Sequence, residues 1–470
     1  MGRARVSAPR RTGADGSNRS LPLPTIPPSP ALQYPQAALR SRSPRGQWRA
    51  SPTDRSLHQA REHSARRGGP PMLTNHETIL GTLSTGEGVP LLQADRRRHV
   101  YVIGMTGTGK TGLLLNLMHA DLTAGAGFCF LDPHGDASQH IASLAPAERR
   151  ADVIYLDPSD PTHTFAYNPL SGVPEAERAT VAANIVSAFK NIWANTWGAR
   201  LEYILGHSIR LLLDTRDQTL LGLPRLLVDD DYRHWLVVRC QDPVVRAFWL
   251  TEYAAYDSRF RNEAIAPIQN KVGAFLAKEP AHLLGALLIT ACSQAAEARR
   301  HMPEHERRDF TLYVDEFQNF ATESFASILS EARKWRLALV AANQTISQLP
   351  DGLQQSVFGN AGTLVVFRVG AHDAERLAGE LGMSSPATLT QTNNYRAWIK
   401  LMRDGAPTEP RLIDTLAPPP PGARLANVVA FAHARHMMPR KPVEESIAAS
   451  FPKAPKRRLR HRGKRDPDRG

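Results

Sequence analysis

The sequence predicts an α/β fold: a predominantly parallel sheet with helices on its faces, an inserted all-helical segment, and basic disordered tails. Three observations lead there. Strand-like and helix-like runs alternate from about Leu73, as in a sheet covered by helices. That strand signal fades from about 170 to 280, where helical periodicity dominates "RLEYILGHSIRLLLD", "DYRHWLVVRC" and "NEAIAPIQNKVGAFLA". The two ends carry no hydrophobic period at all.

Taken in order, residues 1–72 are rich in Pro, Ser, Gly and Arg and contain no lysine. They read as a disordered arm, or as sequence upstream of a true start at Met72, ahead of an Arg- and Ser-rich transit peptide. Residues 73–169 form the first part of the α/β core, with strands at "HVYVIG", "GFCFLD" and "DVIYLD". The helical insertion spans 170–280. The core resumes over 281–420, with strands at "TLYVDE", "LALVAAN", "TLVVFRV" and "AWIKLM". A Pro-rich link leads to two helices within 421–450, and 451–470 is a basic disordered tail.

The 470 residues carry a net charge of +13, but the charge is not spread evenly. The first 72 residues hold 13 Arg against three acids and the last 35 hold 11 Lys or Arg against four, so the body between is mildly acidic. Any contact of the folded part with nucleic acid is therefore local, through a groove or channel. Cys129, Cys240 and Cys292 lie far apart in sequence with no CxxC, which suggests neither a disulfide framework nor a zinc site. No apolar run approaches the roughly 20 residues that span a bilayer. A cytoplasmic protein is expected.

Gly104, Gly109, Lys110 and Thr111 satisfy G-x-x-x-x-G-K-[ST] between an apolar strand and a leucine-rich helix. Glycines let the backbone N–H groups curl inward toward phosphate oxygens, and the following helix presents its positive end to the same anion. The expected nucleotide-binding set is Gly104, Thr106, Gly107, Thr108, Gly109, Lys110, Thr111 and Gly112. Lys110 neutralises the β/γ-phosphates, and Thr111 places its hydroxyl on Mg²⁺. Downstream, "TLYVDEFQNF" is an apolar strand ending in Asp315 and Glu316, where the first acid can hold the Mg²⁺ shell and the second can polarise water. A GTPase is disfavoured because "NKVG" lacks the acid of N-K-x-D, and a small-molecule kinase because of the large insertion. The strand "LALVAAN" ends at Asn343 and Gln344, beside the expected γ-phosphate. The turns "DPHGD" and "DPSD" read as capping punctuation, with His134 free to touch phosphate or a neighbouring subunit.

Together, "HVYVIGMTGTGKT", "FLDPHGD", "LYVDEFQNFATESFASILSEARKWRLALVAANQ" and "FGNAGTLVVFRVGAHDA" resemble the TraG/TraD-type coupling proteins of type IV secretion, within the FtsK/HerA group of ring-shaped DNA pumps. The resemblance covers most of residues 75–450. It implies a RecA-like P-loop core, ATP and Mg²⁺, homo-hexamers, and single- or double-stranded DNA of low sequence specificity moved through a channel. Secretion-channel or relaxosome proteins are the implied partners, at the inner face of the membrane. Carried over by position, Lys110 and Thr111 are the P-loop pair, Asp315 and Glu316 the metal-side and water-side acids, and Gln344 the sensor. Arg368 is the candidate arginine that completes a neighbour's site, with Arg333 and Arg336 as rivals.

Two features depart from that family. It commonly begins with membrane-spanning helices, and this chain begins with a basic arm. An expected core strand is also missing where only "KEP" separates the helix ending near Ala277 from the one starting near Ala281. The alternatives to a DNA motor are a scaffold that binds nucleotide with little turnover, and an ATPase for protein substrates. In the second, Trp193, Trp197, Trp235 and Trp249 form a docking surface rather than a helical core.

Overall fold

The computed structural model describes residues 77–450, apart from 193–196, 258, 260, 262, 264, 267, 269–279, 321–322 and 404. The N-terminal arm with Met72, the basic tail, Trp193 and Lys278–Glu279 of the "KEP" junction thus lie outside the described residues. The described residues up to Val443 form one compact unit, to which everything below belongs.

Thirteen strands are described: β1 (Glu77–Thr82), β2 (Gly88–Leu92), β3 (Val100–Ile103), β4 (Gly127–Leu131), β5 (His163–Thr164), β6 (Phe310–Val314), β7 (Leu337–Asn343), β8 (Thr363–Val366), β9 (Arg396–Lys400), β10 (Met402–Arg403), β11 (Ala406–Pro407), β12 (Arg411–Thr415) and β13 (Met438–Pro439). Nine form one mixed sheet in the order β2-β1-β12-β9-β8-β3-β7-β6-β4. The five from β8 to β4 are parallel. The other four continue the sheet antiparallel.

Sequence pattern separates the two halves. β3 and β7 are buried at every position, as continuous apolar strands covered on both faces must be. β2 and β9 alternate buried and half-buried residues, the signature of a sheet with one wetter face. One face of the sheet packs on the P-loop helix, Lys110–Ala124, through Leu113, Leu114, Leu117 and Met118. The other packs on helices Glu323–Glu331, Asp351–Asn360 and Ala371–Leu381.

Helices Arg178–Ile192, Ala199–Asp214, Gly222–Val228 and Asp230–Arg239 close on a core of their own. Trp249 is buried in it, and Trp197 and Trp235 pack against it. These three tryptophans therefore fill a helical core rather than form a docking surface. Helix Pro280–Glu297 leads back to the sheet, with Ala286 and Leu287 in the helical core and Ile289 and Ala296 in the sheet core.

One expected strand does not form. "DVIYLD" is extended at Val153 (φ −88°, ψ 121°), and Val153 and Tyr155 turn toward the core. Ile154, however, is 63% exposed, and the segment joins no ladder. Alternation of side chains survives without strand pairing. β4 is consequently the edge strand, paired with β6 alone among the described residues.

Candidate nucleotide site

Register places the chemistry. Ile103 of β3 lies opposite Asn343 of β7 and Val366 of β8, and Val314 of β6 lies opposite Ala341 of β7 and Leu131 of β4. Gly104, Asp315, Gln344 and Arg368 therefore all leave the sheet at its carboxyl edge, the usual ligand crevice of a parallel sheet.

The P-loop is clamped from both sides by backbone. Gly104 N–H donates to the Asn343 carbonyl at 3.3 Å and Met105 N–H to the Arg368 carbonyl at 2.8 Å. A Cβ on Gly104 would stand 2.5 Å from Phe367 Cβ, so only glycine lets β3 leave so close to β8. Gly109 has φ +120°, a conformation that side chains other than glycine's resist. Within the loop, the Lys110 ammonium donates to the carbonyls of Gly104 (2.7 Å) and Met105 (3.2 Å). The Thr108 hydroxyl donates to the Met105 carbonyl at 2.7 Å. Thr106, Gly107 and Gly112 stand in the same loop and first helical turn.

The acids lie beside it. Thr111 Oγ1 donates to Asp315 Oδ2 at 3.2 Å. Asp315 Oδ1 accepts the Glu316 N–H at 2.9 Å. Glu316 adopts a left-handed backbone, φ +48°, which turns its side chain to Gln344 Nε2 (2.7 Å to Oε1) and Gln318 Nε2 (2.6 Å to Oε2). Gln344 Oε1 in turn accepts from the Thr106 hydroxyl at 3.1 Å. A continuous chain thus runs from P-loop through Gln344 and both acids back to Thr111. Burial pushes the Asp315 carboxyl up and the Lys110 ammonium down, the two opposite charges working against both shifts. A hydroxyl and a carboxylate held together are hard oxygen donors, the set that suits Mg²⁺.

Arg368 is half-buried beside its own P-loop, to which its carbonyl is bonded. Of the rivals, Arg336 sits at the opposite, amino end of β7 with its guanidinium on the Arg307 carbonyl, and Arg333 is exposed. Asn343 is fully buried with its amide on the Thr345 carbonyl, a turn role. Asp132 accepts from the N–H groups of His134 and Ser138, a capping role, and His134 is exposed.

Sequence reading missed three contributors. Gln318 steadies Glu316. Tyr395 (φ +63°, 64% exposed) donates its N–H to the Thr108 carbonyl at 2.8 Å. Beneath the site, Arg96, Asp121 and Tyr313 form a buried triad: Arg96 Nη1 to Asp121 Oδ1 at 2.6 Å, the Tyr313 hydroxyl to Asp121 Oδ2 at 2.8 Å, and Arg96 Nη2 on that same hydroxyl. It ties the P-loop helix to β6, the strand that presents the acids. Asp121, the one acid of a leucine-rich helix, was the signal that could have found it.

Comparison with known proteins bears on this geometry. Residues 83–238 match the family model described as the type IV secretion-system coupling protein DNA-binding domain. Residues 309–406 match that described as the TraM recognition site of TraD and TraG. Together they take in a little over half of the sequence and both halves of the site. The chain belongs to the type IV coupling proteins. Within that family, a 74-residue stretch is 35% identical to the type 4 coupling protein DotL of Legionella pneumophila, covering 15% of this chain and 10% of DotL. The bacterial conjugative coupling protein TrwB shares the fold. Its unbound form, TrwBdeltaN70, aligns with TM-score 0.55 and 18% identity over 75% of this chain and 92% of the TrwBdeltaN70 chain. TrwB in complex with ADP and Mg²⁺ gives 0.56 and 18% over 76% and 98%. The α/β, RecA-like core expected from sequence is thus the fold of this coupling protein. No described helix is long and apolar enough to cross a membrane.

Proposed function

We propose that this coupling protein is a Mg²⁺-dependent ATPase that uses turnover to move DNA. One observation supports the reading above the others: the hydrogen-bonded circuit Thr111–Asp315–Glu316–Gln344–Thr106 around the loop that carries Lys110. TrwB, with the same fold, was solved with ADP and Mg²⁺ and with nucleotide analogues. Here Thr111 and Asp315 would hold the metal, which supplies charge neutralisation at the phosphates. Lys110 would face the β/γ-phosphates. Glu316, held by two amide donors, would polarise the water that splits ATP to ADP and phosphate, and Gln344 would sense the γ-phosphate. Arg368 is the residue we assign to stabilising transition-state charge.

The match to the coupling-protein DNA-binding domain supports a DNA substrate, and the match to the TraM recognition site supports relaxosome contact. A ring of six, working in the cytoplasm at the inner face of the membrane, is the assembly we infer.

The test measures ATPase rate with and without single-stranded DNA for the parent chain, Lys110→Ala and Glu316→Gln. DNA-stimulated turnover, falling about 10²- to 10⁴-fold in Glu316→Gln while nucleotide is still bound, is expected. Nucleotide binding without turnover in the parent chain would make the protein a scaffold and overturn the motor reading.

A further inference from the structure

Away from the nucleotide loop, the two-residue ladder of β5 and β13 brings helix Leu425–His436 against the turn at Asp157–Asp160. Pairing of Met438 with Thr164 and Pro439 with His163 stacks the His163 and His433 rings at 3.8 Å and 16°. His433 Nε2 stands 2.6 Å from Asp160 Oδ2, and one ligand atom from each of Asp160, His163 and His433 lies within 4.8 Å of the others.

We propose that Asp160, His163 and His433 form a binding site for a divalent metal ion of the zinc class, clasping helix Leu425–His436 to the Asp157–Asp160 turn. Two imidazoles and one carboxylate are a familiar donor set for such ions, with a fourth position left to water. Bonds of about 2.0–2.1 Å at tetrahedral angles put donor atoms about 3.3 Å apart, between the 2.6 Å from His433 Nε2 to Asp160 Oδ2 and the 4.8 Å within which all three ligand atoms lie.

The carboxylate is already held in place, while the two stacked rings must turn about their Cβ–Cγ bonds for one nitrogen of each to face a shared ion. Asp160 Oδ1 accepts from Thr162 N–H (2.7 Å), Thr162 Oγ1 (2.7 Å) and His163 N–H (2.9 Å), which fixes the carboxylate and leaves Oδ2 facing His433. The Thr162 hydroxyl donates its hydrogen bond to Asp160, so toward His163 Nδ1, 2.9 Å away, it acts as acceptor. Nδ1 therefore carries the hydrogen, and Nε2, with the lone pair, is the nitrogen this ring offers a metal. At His433, metal replaces the Nε2 proton, which is released to solvent.

The full chain is dialysed against zinc, its metal content measured by atomic emission, and its affinity read by competition with a chromogenic chelator. One equivalent held at low-micromolar free zinc is expected. Loss of a ligand should weaken it more than the 10- to 100-fold of a lost outer partner, so His433→Gln and His163→Gln should each bind about a hundredfold or more weakly. His436→Gln, one turn further along the helix and outside the cluster, should bind as the parent does. Asp160→Asn, which keeps the turn's acceptor, replaces either histidine variant that fails to fold by circular dichroism. Absence of bound zinc, or equal retention in parent and ligand variants, would reduce the cluster to an ion pair and overturn the proposal.

Discussion

The triad under the nucleotide site sets up a quantitative test. Arg96 and Asp121 are each 1% exposed, Tyr313 is 0% exposed, and Arg96 Nε is buried with no hydrogen-bond partner. Replacing Asp121 by Ala leaves a guanidinium in the interior without its counter-charge, which costs about 3–5 kcal/mol. Tyr313→Phe removes only the bridging hydroxyl and leaves two charged groups one bond short, at about 1–3 kcal/mol. Because desolvation of the charges offsets most of their attraction, the triple change Arg96→Met, Asp121→Leu, Tyr313→Phe should lie far closer to the parent than the single Asp121→Ala. Urea unfolding followed by fluorescence and circular dichroism measures all four proteins. A loss below about 1 kcal/mol for Asp121→Ala, or a triple variant worse than the single, would refute the view that an unpaired buried charge is what the triad prevents. ATP affinity, measured on the folded Tyr313→Phe protein, should fall along with stability, since the hydroxyl links P-loop helix and acid-bearing strand.

Three further outcomes are expected. His99 is buried, accepts the Leu339 N–H at 3.0 Å, and has its pKa lowered by burial to about 4. The folded state thus keeps it neutral while the unfolded chain takes up a proton below about pH 6.5, so this residue removes about 2 kcal/mol of stability between pH 7.5 and 5. His99→Asn, which suits the φ of +68° there, should flatten that part of the profile in urea melts at the two pH values. A Cβ on Gly285 would stand 2.3 Å from the buried Phe320 ring. Ala is favoured in a helix by about 1 kcal/mol, but overpacking costs about 1–3, so Gly285→Ala should lower the urea midpoint. Thr111→Ala should weaken Mg²⁺-dependent nucleotide binding, read by fluorescent-nucleotide titration, while binding measured in EDTA stays close to that of the parent.

Much of the site was legible because P-loop chemistry is local: two glycines with four residues between them dictate a loop, and a strand ending in two acids announces its own carboxyl edge. The parallel strands were legible for the same reason, as apolar runs with no polar break. What stayed hidden was non-local. β1, β2 and β12 are short and half-exposed, and the β1–β12 ladder joins stretches of chain over 300 residues apart. "DVIYLD" has a strand's alternation but no neighbour to pair with, a fact no local pattern encodes. Gln318 and Tyr395 are ordinary letters until Glu316 and Thr108 come within reach of them.

Tyr395 has one more implication. Its amide grips the Thr108 carbonyl from one side while Met105 grips the Arg368 carbonyl from the other, so the loop cannot shift outward without snapping one of these links or dragging the tyrosine along. The phenol ring, almost two-thirds in solvent, is a pointer mounted on the outside of the protein whose needle is geared to the phosphate cradle. A neighbouring molecule resting against that ring would feel each change of nucleotide as a push.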